Sequence, residues 1–478
     1  MLAEACEWAA GLTLDRVPGD VRRLGEAQAL SVLGAVRSGW RHPVGERIGA
    51  AGSGGGWIER AALDAMASMA LDYDETVFAG HTGHSCVLVP LALEADLAGG
   101  AVPGEPASRQ HAPGEPASRQ RAPGDRALLA SIAATEVAAR VTAALTLGRA
   151  RGQTAAHTHL AGAAIGAGVM LGLTSDQLLD ALCLSLAQPV RVLHPAFMGS
   201  DAKLGVAAGP IRLAGAAVLQ ARAGMRGPRD LMERPGGLLE ELSEVPLPEA
   251  FGGWDERWHL RSLSVKAVPG CAYLSAAVDA AIEIAAARAV PAQEVDEVAV
   301  DASIFTLRME AEAAPFVRGP DSPLAALNFS VGYSVATALL EGDLRPHDFH
   351  GEPLRRPERW ELAARVRLAH DPAMTLRALG ATAPVGAALG WAGERARDYL
   401  LRSGAGGDQV DAVLRECAVR GPEHFDHPTK EIGARVRVRL RDGRELVAER
   451  RAARGSCGES VAARLALARA KAEGVPAA

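Results

Sequence analysis

Apolar residues recur at helical spacing through most of the first half of the chain. The pattern predicts helices at Arg22–Ile48, Ile58–Leu71, Ala127–Thr146, Leu160–Leu171, Ser175–Leu186 and Ala202–Ala223. Ala127–Thr146 is the clearest of them, with Glu136 and Arg140 placed four apart as a helix-stabilising pair. Thr174, Ser175 and Asp176 form a capping cluster ahead of the Ser175 helix. From about residue 265 the pattern changes. Glu294–Met309 begins with strand-like alternation, and Leu362–Leu368 resembles a second strand. Arg435–Leu440 alternates strictly, then meets the Asp442-Gly443 turn and Glu445–Arg450. Helices are expected between them at Ala272–Ala287 and Ser330–Leu340. Pro384–Leu401 and Asp408–Cys417 read as a helical pair parted by Gly404–Gly407, and Glu459–Glu473 as a last helix. The fold class expected is mostly α with an α+β second domain. Residues 1–267 are expected to form the helical domain, 268–452 an α+β lid, and 453–478 a C-terminal helix returning to the helical domain.

Two near-identical decapeptides, GEPASRQHAP and GEPASRQRAP, run in tandem over residues 104–123. Their Pro, Gly, Ser and charge content cannot make a packed element, so residues 101–126 are expected to be a disordered loop.

Composition narrows the classes. Only 4% of residues are aromatic while 48% are hydrophobic, so Ala, Val and Leu must build the core, which favours closely packed helices. A net charge of −6 gives no footprint for nucleic acid. No run of about 18 apolar residues is free of charge or glycine breaks, so no membrane span is expected. The N-terminus begins acidic without a basic stretch, and a cytoplasmic location is expected. The six cysteines are scattered and form no Cys-x-x-Cys, and neither a Walker loop nor a Gly-x-Gly-x-x-Gly occurs. No cofactor and no metal are therefore expected.

Polar chemistry concentrates in a few places. Leu71–Pro90 holds Asp72, Asp74, Glu75, Thr76, His81 and His84, and an acid beside imidazoles is what a general base needs. His157 and His159 precede a Gly- and Ala-rich helix, whose N-terminus would favour an anion. Lys203 opens a helix, against the macrodipole, and Lys266 stands where the two domains meet. Tyr333 sits on an otherwise apolar helix, where core packing is the plainer reading.

The order of these pieces resembles the MmgE/PrpD family, which includes 2-methylcitrate dehydratase and cis-aconitate decarboxylase. LDYDET followed by a histidine and VLVPLALEAD is similar to its aspartate-rich loop and proline-initiated helix. LASIAATEVAAR, GAGVMLGLTSDQLLDALCLSLAQ, AKLGVAAGPIRLAGAAVLQARAGMRGP and VKAVPGCAYLSAAVDAA resemble successive family segments. The resemblance places active-site positions on Asp72, Thr76, His81 or His84, Lys203, Lys266 and Tyr333. Where the family usually carries histidine this chain has Gln153 and Ser275, with His157 and His159 as nearby substitutes. The resemblance implies a homodimer acting on a small carboxylate in a cleft between a helical domain and a lid. The expected chemistry is a cofactor-independent dehydration of a small β-hydroxy acid or a related intermediate of secondary metabolism. Proton transfer would go to His81 or His84 oriented by Asp72, with the lysines on carboxylate and Tyr333 and Thr76 by the leaving group. Decarboxylation, epimerisation or a carboxylate-binding pseudo-enzyme are the alternatives.

Overall fold

The computed structural model describes residues 1–52, 55–99, 123–148, 156–188, 192–402, 406–419 and 425–474. Gln153 and nearly all of the duplicated decapeptides lie outside the described residues.

The first half is helical. Its centre is the Asp125–Ala144 helix against Ala156–Met170, both buried on nearly every face because alanine and glycine leave no bulk between them. A Cβ at Gly162 would run into Cys86 Sγ and Ser85 Oγ, so only glycine lets this helix seat against the short Gly83–Cys86 helix. The Gly19–Arg41, Trp57–Ala70, Ser175–Leu186 and Gly205–Arg222 helices complete this layer. Thr174 and Gln177 form a full capping box on the Ser175 helix. The Asp125–Ala144 and Asp201–Arg222 segments are long and apolar enough to cross a membrane, which the sequence pattern had not singled out. Their apolar windows are 94% and 61% buried within the fold.

The second part holds one mixed sheet in the order β2-β1-β3-β4, from β1 (Val295–Ala302), β2 (Val366–His370), β3 (Ala434–Leu440) and β4 (Glu445–Arg450). β1 runs parallel to β2 and antiparallel to β3. On β3, Ala434, Val436, Val438 and Leu440 point into the core, while Arg435, Arg437 and Arg439 pair with Glu449, Asp301, Asp296 and Glu297 outside. The Ser275–Ala287 helix packs on β3 and β4 and against the Val331–Glu341 helix.

Several boundaries differ from the sequence pattern. The expected Leu362–Leu368 strand is shifted: Leu362 lies in the last turn of the Pro357–Ala363 helix and the strand runs from Val366 along the sheet edge. After β1 the chain turns at Ser303 into the Ile304–Ala313 helix. Pro384–Leu401 is not one helix but short pieces, broken where Gly393 takes a φ of +52°. The Val461–Glu473 helix lies along Gly19–Arg41, and a Cβ at Gly34 would meet the Lys471 backbone.

Candidate active site

The chain leaves the Trp57–Ala70 helix in a tight turn, with Asp72 at a φ of +49°, a region aspartate enters more readily than most residues. The stretch joining the two domains lies beside this turn. Thr76 and Ser264 exchange backbone hydrogen bonds, and the Gly270 N–H donates to the Leu71 carbonyl. Lys266, between those ties, donates to both the Asp72 carbonyl (2.6 Å) and Asp72 Oδ1 (3.0 Å).

From there a line of charges crosses the site. Lys203, in the short Asp201–Leu204 turn ahead of its helix, is 3.5 Å from Asp72 Oδ2, and Lys266 is 3.7 Å from Asp74 Oδ1. The other oxygen of Asp74 meets His81 Nδ1 at 2.5 Å and His84 Nε2 at 3.2 Å. The carboxylate on the imidazoles is thus Asp74, not Asp72 as expected. His84 is enclosed, with its Nδ1 2.6 Å from Ser68 Oγ, whereas the His81 side chain is 30% exposed. Burial opposes ionisation of Asp72, but Lys203 and Lys266 outweigh it and hold the carboxyl at about 2. Burial opposes Asp74 likewise, and His81 and His84 hold it well below the carboxylate range. Burial also works against the Lys266 charge, yet Asp72 and Asp74 raise its pKa; Lys203, with burial dominant, is lowered.

A small cleft opens beside this line, lined by Thr76, Ser264, Lys266, Ser275, Lys430, Arg454 and Ser456 among others. Lys430 donates to Thr76 Oγ1 at 2.7 Å. Lys471, from the Val461–Glu473 helix, enters from behind the loop, hydrogen-bonding the Tyr73 carbonyl and Ser31 Oγ (2.9 Å). Burial lowers Lys430 to about 8 and Lys471 to about 7, and it raises the neighbouring Glu75.

The expected residues are only partly gathered. Asp72, Lys203 and Lys266 meet directly, and Thr76, Lys266 and Ser275 share the cleft. His157 and His159 lie inside the first turn of their helix, not ahead of it, and are buried. Burial lowers His157 to about 4 and His159 well below the imidazole range. His159 reaches Ser85 Oγ (3.3 Å) and the His84 ring, not the lysines. Tyr333 is not brought to the cluster: its hydroxyl donates to the Asp348 carbonyl and accepts from Arg359 (3.4 Å), and its ring stacks on Trp360. Lys430 and Lys471 are site residues that the sequence reading did not select, and Asp74 stood there only as one acid of the cluster. The signal was present, since only four of the 51 Lys and Arg residues are lysine, and all four touch residues 72–76.

Asp74, His81 and His84 place ligand atoms within 4.8 Å of one another and are the set among the described residues able to hold a metal. The Lys266 ammonium at 3.7 Å from Asp74 already supplies positive charge there. What the arrangement offers without further groups is a carboxylate-oriented imidazole beside buried ammoniums.

No curated protein is significantly similar to the chain. Two family profiles do match it, the MmgE/PrpD N-terminal domain over residues 3–249 and the MmgE/PrpD C-terminal domain over residues 268–386. Together these matches cover more than half of the chain, and the chain belongs to the MmgE/PrpD family, which includes dehydratases and cis-aconitate decarboxylase.

Proposed function

We propose that this protein is a cofactor-independent lyase that eliminates water from a small β-hydroxy carboxylic acid, with His81 as the base. The observation that carries the reading is the Asp74–His81 contact at 2.5 Å, on the more exposed of the two candidate histidines. With Nδ1 given to Asp74, the Nε2 lone pair is the one left to accept a proton. His81 takes the proton adjacent to the substrate carboxylate, and that C–H electron pair becomes the new C=C bond. The C–O bond breaks with its electrons, and the hydroxyl leaves as water after gaining a proton. Thr76 is the candidate donor: as its hydroxyl proton passes to the leaving group, the Lys430 ammonium bonded to its oxygen gives up a proton to it, so that Thr76 ends as a hydroxyl and Lys430 as a neutral amine. Lys266 stabilises the negative charge that builds on the carboxylate in the transition state. Tyr333 has no part in this reading, its hydroxyl being committed within the second domain.

The test is a panel of β-hydroxy acids and their unsaturated products, followed by enoate absorbance, for the native protein and H81N. Turnover should fall at least about 100-fold in H81N. Full activity in that variant would remove His81 from the mechanism. Release of CO2 with no change in hydroxyl content would replace dehydration by decarboxylation.

A further inference from the structure

All four lysines of the chain converge on one loop, while the other side-chain ion pairs among the described residues use arginine or histidine. Arginine serves a surface pair as well as lysine does. A compact ammonium that changes its protonation readily is needed only at special places. The four differ in how their charge is met. Lys203 and Lys266 are matched by Asp72 and Asp74. Lys471 lies behind the loop and faces Glu75. Lys430 lines the cleft, keeps some exposure, and has as its described partner a neutral hydroxyl, Thr76 Oγ1; no carboxylate lies within ion-pair distance of it among the described residues. Lys203 and Lys266 with Asp72 and Asp74, and Arg454 of the cleft with Asp279, each sum to no net charge, so Lys430 is the cation left for an acid entering the cleft.

We infer that Lys430 is the anchor for the substrate carboxylate, receiving one of its oxygens at Nζ across the cleft from Lys266 and Ser275. This rests on the reading of the protein as an enzyme of small carboxylic acids. Neither family match extends to residue 430. The titratable groups facing Lys430 are Lys266, Asp74 and the thiols of Cys271 and Cys457, and Arg454 shares the cleft with its charge met by Asp279 at 2.8 Å. Burial raises both thiols, so they stay neutral near pH 8. With Lys430 lowered to about 8, the empty site holds mostly neutral amine at about pH 9, and a bound carboxylate draws in a proton.

Isothermal titration with succinate and tricarballylate tests this, since neither has a hydroxyl to eliminate. Native protein, K430M and K430R are titrated in paired buffers of different ionisation enthalpy at about pH 7 and about pH 9. Native protein should take up almost no proton at the lower pH and approach one at the higher. K430M should bind at least about tenfold more weakly and lose the uptake. K430R, which stays charged, should hold affinity within about threefold with no uptake at either pH. Native-like affinity or persistent uptake in K430M overturns the assignment, and a thermal melt of each variant separates this from misfolding. If the native protein binds neither acid, the carboxylate-enzyme reading falls with it. If it binds both and K430M binds as well, only the Lys430 assignment falls.

Discussion

Asp72→Asn keeps the size of the side chain and one oxygen, so it isolates what the negative charge does for the two ammoniums beside it. The carboxyl is held at about 2 against an ordinary 3.8. At about 1.4 kcal/mol per pKa unit this corresponds to about 2 kcal/mol of stabilisation. Deleting one member of a buried pair costs more than that, about 3 to 5 kcal/mol, because the partner is left charged and unpaired. The partner left is Lys203. Lys266 retains Asp74 at 3.7 Å and the residue-72 carbonyl at 2.6 Å. Lys203 loses its one carboxylate within ion-pair distance among the described residues and is left between the rings of Phe197 and Phe329. A cost of about 3 kcal/mol is therefore expected. Over a unit the size of the matched N-terminal domain, that lowers the melting temperature by about 6 °C. Differential scanning calorimetry near neutral pH reads it, and D72N/K203M should recover at least half of the loss, since neither charge remains. The native advantage is present above about pH 4 and is lost as pH falls through about 2, so the gap to D72N should narrow on acidification. A D72N protein melting within about 1 °C of native, or a double variant whose two costs simply add, would refute the charge arrangement.

Two other variants probe the frame around the site. Glu136→Gln should cost about 3 kcal/mol in urea unfolding, because this carboxylate accepts the His259 and Leu260 backbone N–H groups (2.9 and 2.8 Å) and pairs with Arg140. Tyr333→Phe should lower stability by about 1 kcal/mol while leaving turnover within about threefold, since its hydroxyl joins Asp348 and Arg359 rather than the substrate. A large loss of turnover without loss of stability would return Tyr333 to the active site.

What could be read from sequence divides by the range of the contacts involved. The Ser175–Leu186 helix was legible to the residue, because its capping box and periodicity are local. The broken Pro384–Leu401 segment was not, because apolar spacing persists across a backbone turned by Gly393. The aspartate-histidine cluster was visible as composition, yet which carboxylate serves the imidazoles depended on how the turn at Asp72 points the next residues. Lys430 and Lys471 meet the loop from 354 and 398 residues away, and no spacing rule reports such a pairing. The scarcity of lysine was the one trace they left in the chain.

The seating of the Val461–Glu473 helix along Gly19–Arg41 has a consequence for the order in which the protein is made. The helical layer is assembled from segments 440 residues apart in sequence, so a nascent polypeptide emerging from the ribosome can fold most of that layer early and still lack the piece that backs the Tyr73 turn. Until residues 461–473 emerge, the groove along Gly19–Arg41 stays open and Ser31 faces it without its ammonium partner. A product cut short by a premature stop would then be recognisable to chaperones and proteases by an exposed groove, whatever the state of its sheet. Emergence of residues 461–473 closes the groove and backs the Tyr73 turn in one step.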